Sequence, residues 1–164
     1  MEVNINTVKE LRQKTGAGVL AVKEALDETK GDIEAAEKIL KEQGLATAMK
    51  KSGRDTSEGV VQSYIHAGNK LGALVELKCE TDFVARTEDF IKLAQNLAMQ
   101  VAGMAPTYIS KDDEGASEAQ DDEILLSQAF IKDTSITIED MVKEMISKVG
   151  ENIKISKIIK FDLS

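Results

Sequence analysis

The sequence predicts an α+β protein, with an N-terminal three-helix bundle followed by a three-stranded antiparallel sheet that has helices on one face. Two spacings of apolar residues predict this class. Apolar residues recur every three or four positions in residues 8–40 and 90–104, as in amphipathic helices. In three shorter stretches the apolar residues alternate with polar residues, as in strands with one buried face. The polar stretch 52–57 predicts a boundary between domains at 1–54 and 55–164.

Three short helices are predicted in the N-terminal domain. The first covers residues 7–14 and is broken by Thr15-Gly16-Ala17-Gly18, because two glycines in three positions permit backbone angles closed to other residues. The second covers 18–29, and the third covers 33–43 and ends at Gly44. The positions predicted to face its core are Val8, Leu11, Val19, Val22, Leu26, Ile33, Ala36, Ile39 and Leu40. A bundle of this size is marginal alone, so we expect it to adhere to something else.

A hairpin begins the second domain. Strands at 59–67 and 71–79 are joined by the turn 68–70, a long helix follows at 88–103, and the last strand is 153–163. One face of the second strand consists of Ala73, Val75, Leu77 and Cys79. Because helices cover only one face of the sheet, the other is predicted to expose an apolar patch, made of Val60, Tyr64, Leu74 and Ile158. Such a patch is typical of an oligomer or a protein complex.

The chain between the long helix and the last strand is less regular. Residues 111–123 contain seven Asp or Glu and no base after Lys111, which predicts a mobile loop. Their spacing matches no calcium-binding loop, so no metal site is expected. A short helix is predicted at 123–132, and another follows a cap at Thr137 and ends at Gly150.

Composition restricts the classes of partner. The net charge is −8, and residues 55–164 carry 11 basic and 20 acidic side chains, so direct nucleic-acid binding is not expected. A protein partner is favoured. No apolar run approaches the roughly 20 residues of a membrane span, and the first residues lack a signal-peptide pattern. A single Cys cannot form an internal disulfide, so the cytoplasm is the expected location.

The corner between the second strand and the long helix is the most distinctive feature. Thr81-Asp82-Phe83-Val84 places a large ring beside a carboxylate at a strand-to-helix turn. Phe83 is either a staple that closes the local core or a probe offered to another molecule. Because most Phe residues are packed, the residue type alone favours the staple.

Catalytic constellations are sparse. His66 and Cys79 lie on neighbouring strands and could form a base and a nucleophile, but Cys79 shares the face of Val75 and Leu77 and reads as a small buried hydrophobe. No zinc pair, phosphate loop or serine triad is found, so no enzymatic activity and no cofactor are expected. The glycines at 16–18 could hold an anion, although a helix–helix turn is the simpler interpretation.

Three motifs together resemble one family. They are Val8-Lys9-Glu10-Leu11-Arg12-Gln13-Lys14-Thr15-Gly16-Ala17-Gly18, then Glu76-Leu77-Lys78-Cys79-Glu80-Thr81-Asp82-Phe83-Val84-Ala85, and Ile146-Ser147-Lys148-Val149-Gly150-Glu151-Asn152-Ile153. They are similar to motifs of bacterial translation elongation factor Ts, and they span nearly the whole chain.

The resemblance implies a guanine-nucleotide exchange factor whose partner is elongation factor Tu, in its GDP-bound and nucleotide-free forms. The N-terminal module, similar to ubiquitin-associated bundles, would grip a helix of the partner through Arg12, Val19, Leu20 and Lys23. Thr81, Asp82, Phe83 and Val84 would form the wedge that disturbs the partner's magnesium and phosphate site. Tyr64 and His66 resemble a Tyr-x-His pattern that contacts the partner in longer members.

The resemblance also implies a short form of the family. Longer members have a second core subdomain and a helical hairpin for which 164 residues leave no room. Short members pair into homodimers through the exposed sheet face, although this chain looks trimmed between residues 111 and 137. Two alternatives remain: a plain adaptor whose helical bundle binds a helix or peptide, and a small cysteine-dependent enzyme.

Overall fold

The computed structural model describes residues 4–163. The chain divides into two compact units, the first made of residues up to Gly53 together with Lys143–Glu151, and the second of Arg54–Val142 together with the residues from Asn152 onward. Within the described residues the α-helices and strands are, in order, α1 (Ile5–Thr15), α2 (Val19–Glu28), α3 (Ile33–Lys51), β1 (Glu58–Ile65), β2 (Leu71–Cys79), α4 (Asp82–Ala85), α5 (Glu88–Met104), β3 (Ala129–Phe130), β4 (Asp133–Thr137), α6 (Ile138–Val149) and β5 (Ile153–Asp162). The predicted α+β class is confirmed.

The first unit is built around α1, α2 and α3. Its buried core consists of Val8, Leu11, Val22, Ala25, Leu26, Ala36 and Leu40. Gly16 ends α1 with a positive φ of 67°, which is a conformation that glycine adopts without strain. Val19 and Ile33 were predicted to face this core, but both side chains are exposed.

Gly44 was predicted to end the third helix, and that prediction is wrong. Helix α3 continues without a break to Lys51. A Cβ at Gly44 would lie 2.9 Å from the Oγ of Ser147, so the glycine leaves space for the part of α6 that belongs to this unit. The Lys51 ammonium donates to the carbonyl of Gly150, which satisfies an acceptor just beyond the end of α6. The small bundle therefore gains its additional packing from within the chain.

The second unit contains a three-stranded antiparallel sheet in the order β1-β2-β5. Helix α5 packs on β1 and β2. The buried apolar side chains of the sheet are those of Ala73, Val75, Leu77, Cys79, Ile153 and Ile155, and those of α5 include Phe90, Leu93, Ala94, Leu97, Ala98 and Val101. The predicted inner face of the second strand is thus confirmed in full.

The segment between α5 and α6 contains short elements that periodicity did not indicate. Residues 116–118 and 121–123 form single 3-10 turns, and Lys111 pairs with Asp121 at 2.8 Å. The helix predicted at 123–132 is wrong, since this stretch holds another 3-10 turn and β3, which pairs with β4. The fully buried side chain of Gln100 holds this stretch in place. Its Oε1 accepts from the backbone N–H of Ile131 at 2.8 Å, and its Nε2 donates to the Oε1 of Gln128 at 3.0 Å.

None of the helices formed by residues 4–163 has the length and hydropathy that crossing a membrane requires.

Candidate functional site

The strand-to-helix corner is fixed by bonds on both sides of the exposed ring. The Thr81 hydroxyl accepts from the backbone N–H of Val84 at 3.4 Å and caps α4, which is a single helical turn. At the other end, the Thr87 hydroxyl donates to the carbonyl of Val84 at 2.8 Å. Val84 and Ala85 are buried, so the inner side of this turn is anchored in the core.

Phe83 lies on the outer side of the same turn, and 83% of its surface is exposed. The staple interpretation of this residue is therefore wrong. A ring of this size normally loses most of its surface to the core, since burying one contributes roughly 1.5–3 kcal/mol. Here the fold holds the ring in solvent on an anchored support.

A charged pair flanks the ring. The Asp82 carboxylate lies 3.0 Å from the Arg86 guanidinium, one helical turn further on. Both side chains are at least half exposed, so the pair contributes little to stability. Arg86 is not among the predicted site residues. Its signal was the (i, i+4) spacing from Asp82.

The N-terminal residues attributed to partner binding lie on the two sides of one short turn. Arg12 is in the last turn of α1, and Val19 and Leu20 begin α2 immediately after the turn at 16–18. Leu20 is 71% exposed and Val19 is 43% exposed. Lys23 follows on the exposed surface of α2. These four side chains thus present two apolar and two basic groups to solvent.

An open cavity of about 440 Å³ adjoins Arg12 in the first unit. The described residues that line it are Lys9, Arg12, Gln13 and Lys148. Lys148 comes from α6, and a Cβ added to Gly16 would lie only 2.9 Å from the Cβ of Lys148. No local pattern indicates that Lys148 lies beside Arg12, because 136 positions separate them.

Tyr64 and His66 contact each other at the end of β1. The Tyr64 hydroxyl lies 2.9 Å from the Nδ1 of His66. Tyr64 is partly buried, and the imidazole is exposed and held by this hydrogen bond. The pair is therefore an oriented surface group.

The register of β1 and β2 rules out a catalytic pair of Cys79 and His66. Cys79 pairs with Glu58, and Gly72 pairs with Ile65, the residue before His66, so the two side chains lie at opposite ends of the hairpin. Seven residues of strand separate them, which is more than about 20 Å. The Cys79 thiol is buried and donates to the carbonyl of Thr81 at 3.1 Å. Among the described residues, no group of three His, Cys, Asp or Glu side chains could hold a metal ion.

The sheet face away from α5 carries an apolar patch, and of its four predicted members only Leu74 lies in it. Val60 and Tyr64 pair with Leu77 and Ala73, so they belong to the helix-covered face. Ile158 pairs with Val75 and belongs there too, because a bulge near Ser156 reverses the alternation of β5. We define the open patch as Val61, Ile65, Leu74, Ile159 and Phe161, all of which are exposed.

The charged end of the open face adjoins this patch. Glu76 lies opposite Lys157 and 3.8 Å from Lys78, and its carboxylate accepts from the Ser156 hydroxyl. This hydrogen bond, with help from Lys78 and Lys157, lowers the pKa of Glu76 below its ordinary value.

Comparison with known proteins gives one consistent family. The family model described as Elongation factor TS matches residues 1–122 and 80–164. Elongation factor Ts of Herpetosiphon aurantiacus is 42% identical over 195 aligned positions, which cover 99% of this chain and 98% of that protein. The corresponding proteins of Methylacidiphilum infernorum and Coprothermobacter proteolyticus are also 42% identical, with 98% and 99% of this chain and 95% and 99% of those proteins covered. The 195 aligned positions exceed the 164 residues of this chain, so these relatives carry segments that it lacks.

Proposed function

The chain belongs to the elongation factor Ts family, and we propose that it acts in translation elongation by promoting the release of GDP from elongation factor Tu. The role in translation elongation follows from the family. The exchange step, and the residues assigned to it below, constitute the proposal. The action is binding and remodelling, in which no covalent bond is made or broken.

The observation that carries the proposal is the exposed Phe83 on its anchored turn. A protein that exposes a large ring loses the free energy of burying it, so the exposure favours a use outside the chain's own core. Thr81 caps the turn, Val84 anchors it, and Asp82 lies beside the ring. We assign these four residues to a wedge that enters the partner near its magnesium and phosphate site.

An exchange factor must bind the nucleotide-free partner better than the nucleotide-bound partner, because equal binding of both forms would shift nothing. Each ~1.4 kcal/mol of difference changes nucleotide affinity tenfold. Burial of one Phe supplies roughly 1.5–3 kcal/mol, so the wedge contributes part of the difference. Other contacts supply the rest.

The N-terminal module supplies anchoring common to both states of the partner. Leu20 and Val19 offer apolar surface, and Arg12 and Lys23 offer positive charge on either side of them. This combination suits a partner helix that has apolar residues bordered by carboxylates. Tyr64 and His66 form a further contact, for which the hydrogen bond between them supplies a fixed orientation.

We also propose that the open patch pairs with a second copy of the chain. Its five apolar side chains are exposed and lie together on the sheet face away from α5. Glu76 and Lys157 at the charged end of the same face offer opposite charges, which favours an antiparallel pairing of two identical surfaces. The second unit would then serve both dimerisation and presentation of the wedge.

The test is release of a fluorescent GDP analogue from elongation factor Tu, followed with excess unlabelled GDP. We expect the rate to rise with concentration of the chain and reach a plateau. An adaptor of the alternative kind would bind the partner without accelerating release. A complex that is detected by sedimentation but leaves the release rate unchanged would refute the exchange function.

A further inference from the structure

A polar junction lies immediately before the wedge and joins three separate segments of the second unit. The Glu80 carboxylate accepts from the backbone N–H of Asn152 at 2.7 Å. The side-chain amide of Asn152 donates to the carbonyl of Arg54 at 2.7 Å. The Arg54 guanidinium lies 3.6 Å from the same Glu80 oxygen that accepts from Asn152. Each of the three residues is thus bound to the other two.

The junction lies where the pairing of β2 with β5 ends, just before the wedge. The last paired residues of β2 and β5 are Cys79 and Ile153, so the backbone ladder stops there. Glu80 directly follows β2 and Asn152 directly precedes β5, and the hydrogen bond between them continues the link between the two strands by one residue. This hydrogen bond brings the fixed backbone to the residue before Thr81, which caps the wedge turn.

Burial makes the junction sensitive to substitution. Asn152 is 1% exposed, and the Glu80 side chain is less than a quarter exposed. A buried polar group that loses its partner carries the full cost of its desolvation, so removing one member strains the others. The junction stands on the opposite side of Thr81 from the Val84 and Thr87 bonds. The wedge is therefore held from both sides.

We propose that Asn152 and Glu80 are positioning residues for Phe83, which they hold at the angle that nucleotide release requires. This inference rests on the proposed exchange function. Neither residue needs to contact the partner. When the turn is rigid, the ring is already in the position that it needs for contact with the partner. When the turn is loosened, part of the free energy of that contact is lost to the entropy cost of ordering the turn.

The first test compares Asn152→Ala, Glu80→Ala and Glu80→Gln in the GDP-release assay. Glu80→Gln keeps an oxygen that accepts from Asn152, so we expect it to retain most of the activity. Glu80→Ala removes the acceptor of the Asn152 backbone N–H, and Asn152→Ala removes the side-chain donor to the Arg54 carbonyl. For each of these variants we expect the plateau release rate to fall about tenfold. The concentration giving half of the plateau should change less than about twofold, because the N-terminal anchoring is intact. Glu114→Ala, on the exposed acidic loop, is the matched control.

The second test measures the wedge without the partner. The chain has no Trp, so Phe83→Trp introduces a single fluorophore at the wedge. We expect time-resolved anisotropy to show faster local motion of this indole when Asn152→Ala or Glu80→Ala is added, and no change with Glu114→Ala. Thermal unfolding followed by circular dichroism sets a temperature at which every variant is folded. If Asn152→Ala does not fold, the comparison of the two Glu80 variants decides.

The outcomes separate this inference from the exchange function. If Phe83→Ala lowers release but the Glu80→Ala and Asn152→Ala variants are as active as the unsubstituted chain, the positioning role is refuted and the exchange function stands. If Phe83→Ala itself leaves release unchanged, the wedge is refuted and the positioning role with it. Equal losses in Glu80→Gln and Glu80→Ala would also contradict the proposal, since the retained acceptor would then have no effect.

Discussion

Removal of the Phe83 ring should separate folding from exchange. Because 83% of the residue is already exposed, Phe83→Ala deletes almost no buried surface from the free chain. We expect the free energy of unfolding to stay within about 0.5 kcal/mol of the original, as for ordinary surface substitutions. If the ring becomes buried in the partner, its loss costs roughly 1.5–3 kcal/mol. At ~1.4 kcal/mol per factor of ten, this lowers stimulated GDP release by about tenfold to about a hundredfold.

Stopped-flow release of a fluorescent GDP analogue measures this effect directly. Met49→Ala is a suitable control, because Met49 is an exposed apolar residue of α3 that is not among the residues assigned to partner binding. We expect it to release GDP like the unsubstituted chain. A Phe83→Ala chain that is folded and stimulates release as well as Met49→Ala would refute the wedge. A Phe83→Ala chain that melts at a markedly lower temperature would contradict the claim that the ring is free of the core.

Four further predictions follow from other parts of the structure. Lys148→Glu should weaken binding to the partner about as much as Arg12→Ala does, since both residues line one cavity. Titration calorimetry with the nucleotide-free partner measures both affinities, and an unchanged affinity of Lys148→Glu would show that Lys148 does not contact the partner. A fragment of residues 1–54 lacks Lys143–Glu151, so its helix content by circular dichroism should be lower than the helix content of α1, α2 and α3 in the structure. A fragment with the full helix content of α1, α2 and α3 would show that the bundle folds independently. Leu74→Asp should shift the chain toward the monomer in sedimentation equilibrium, whereas Lys70→Asp, in the hairpin turn, should not. The pKa of Glu76 is lowered mainly by the Ser156 hydroxyl, so its contribution to stability is present above the ordinary Glu pKa and is lost as pH falls through the folded value. The melting temperatures of Ser156→Ala and the unsubstituted chain should therefore converge on acidification.

The sequence predicted well wherever one face of an element alternated cleanly. Ala73, Val75, Leu77 and Cys79 were assigned to one face of β2 because the charged residues Glu76 and Lys78 alternate with them, and only Leu74 interrupts the pattern. On β1 both faces are apolar, since Val60 precedes Val61 and Tyr64 precedes Ile65. Alternation cannot then choose a face, and the pairing with β2 decides. The bulge near Ser156 likewise depends on the neighbouring strand, so Val60, Tyr64 and Ile158 were assigned to the wrong face and only Leu74 was assigned correctly.

Long-range packing explains the other differences. Gly44 looks locally like a helix end, but its role is to admit Ser147, which lies more than a hundred residues later. The β3–β4 hairpin depends on the buried amide of Gln100, which no local pattern announces. At the candidate site, the corner could be located from the sequence because strand periodicity changes there to helical periodicity. Whether Phe83 pointed inward or outward could not be predicted, because a Phe at such a corner fits either the core or a partner.

Helix α6 is one continuous element, yet Lys143 and the residues after it belong with the N-terminal bundle and those before it with the sheet. This division has a consequence for biosynthesis. A nascent chain emerges from the ribosome N-terminus first, so α1 to α3 are complete long before Ser147 and Gly150 can join them. Until then, Gly44 faces an unfilled gap and Lys51 lacks its carbonyl acceptor. The part of the molecule that is translated first is therefore among the last to reach its final packing.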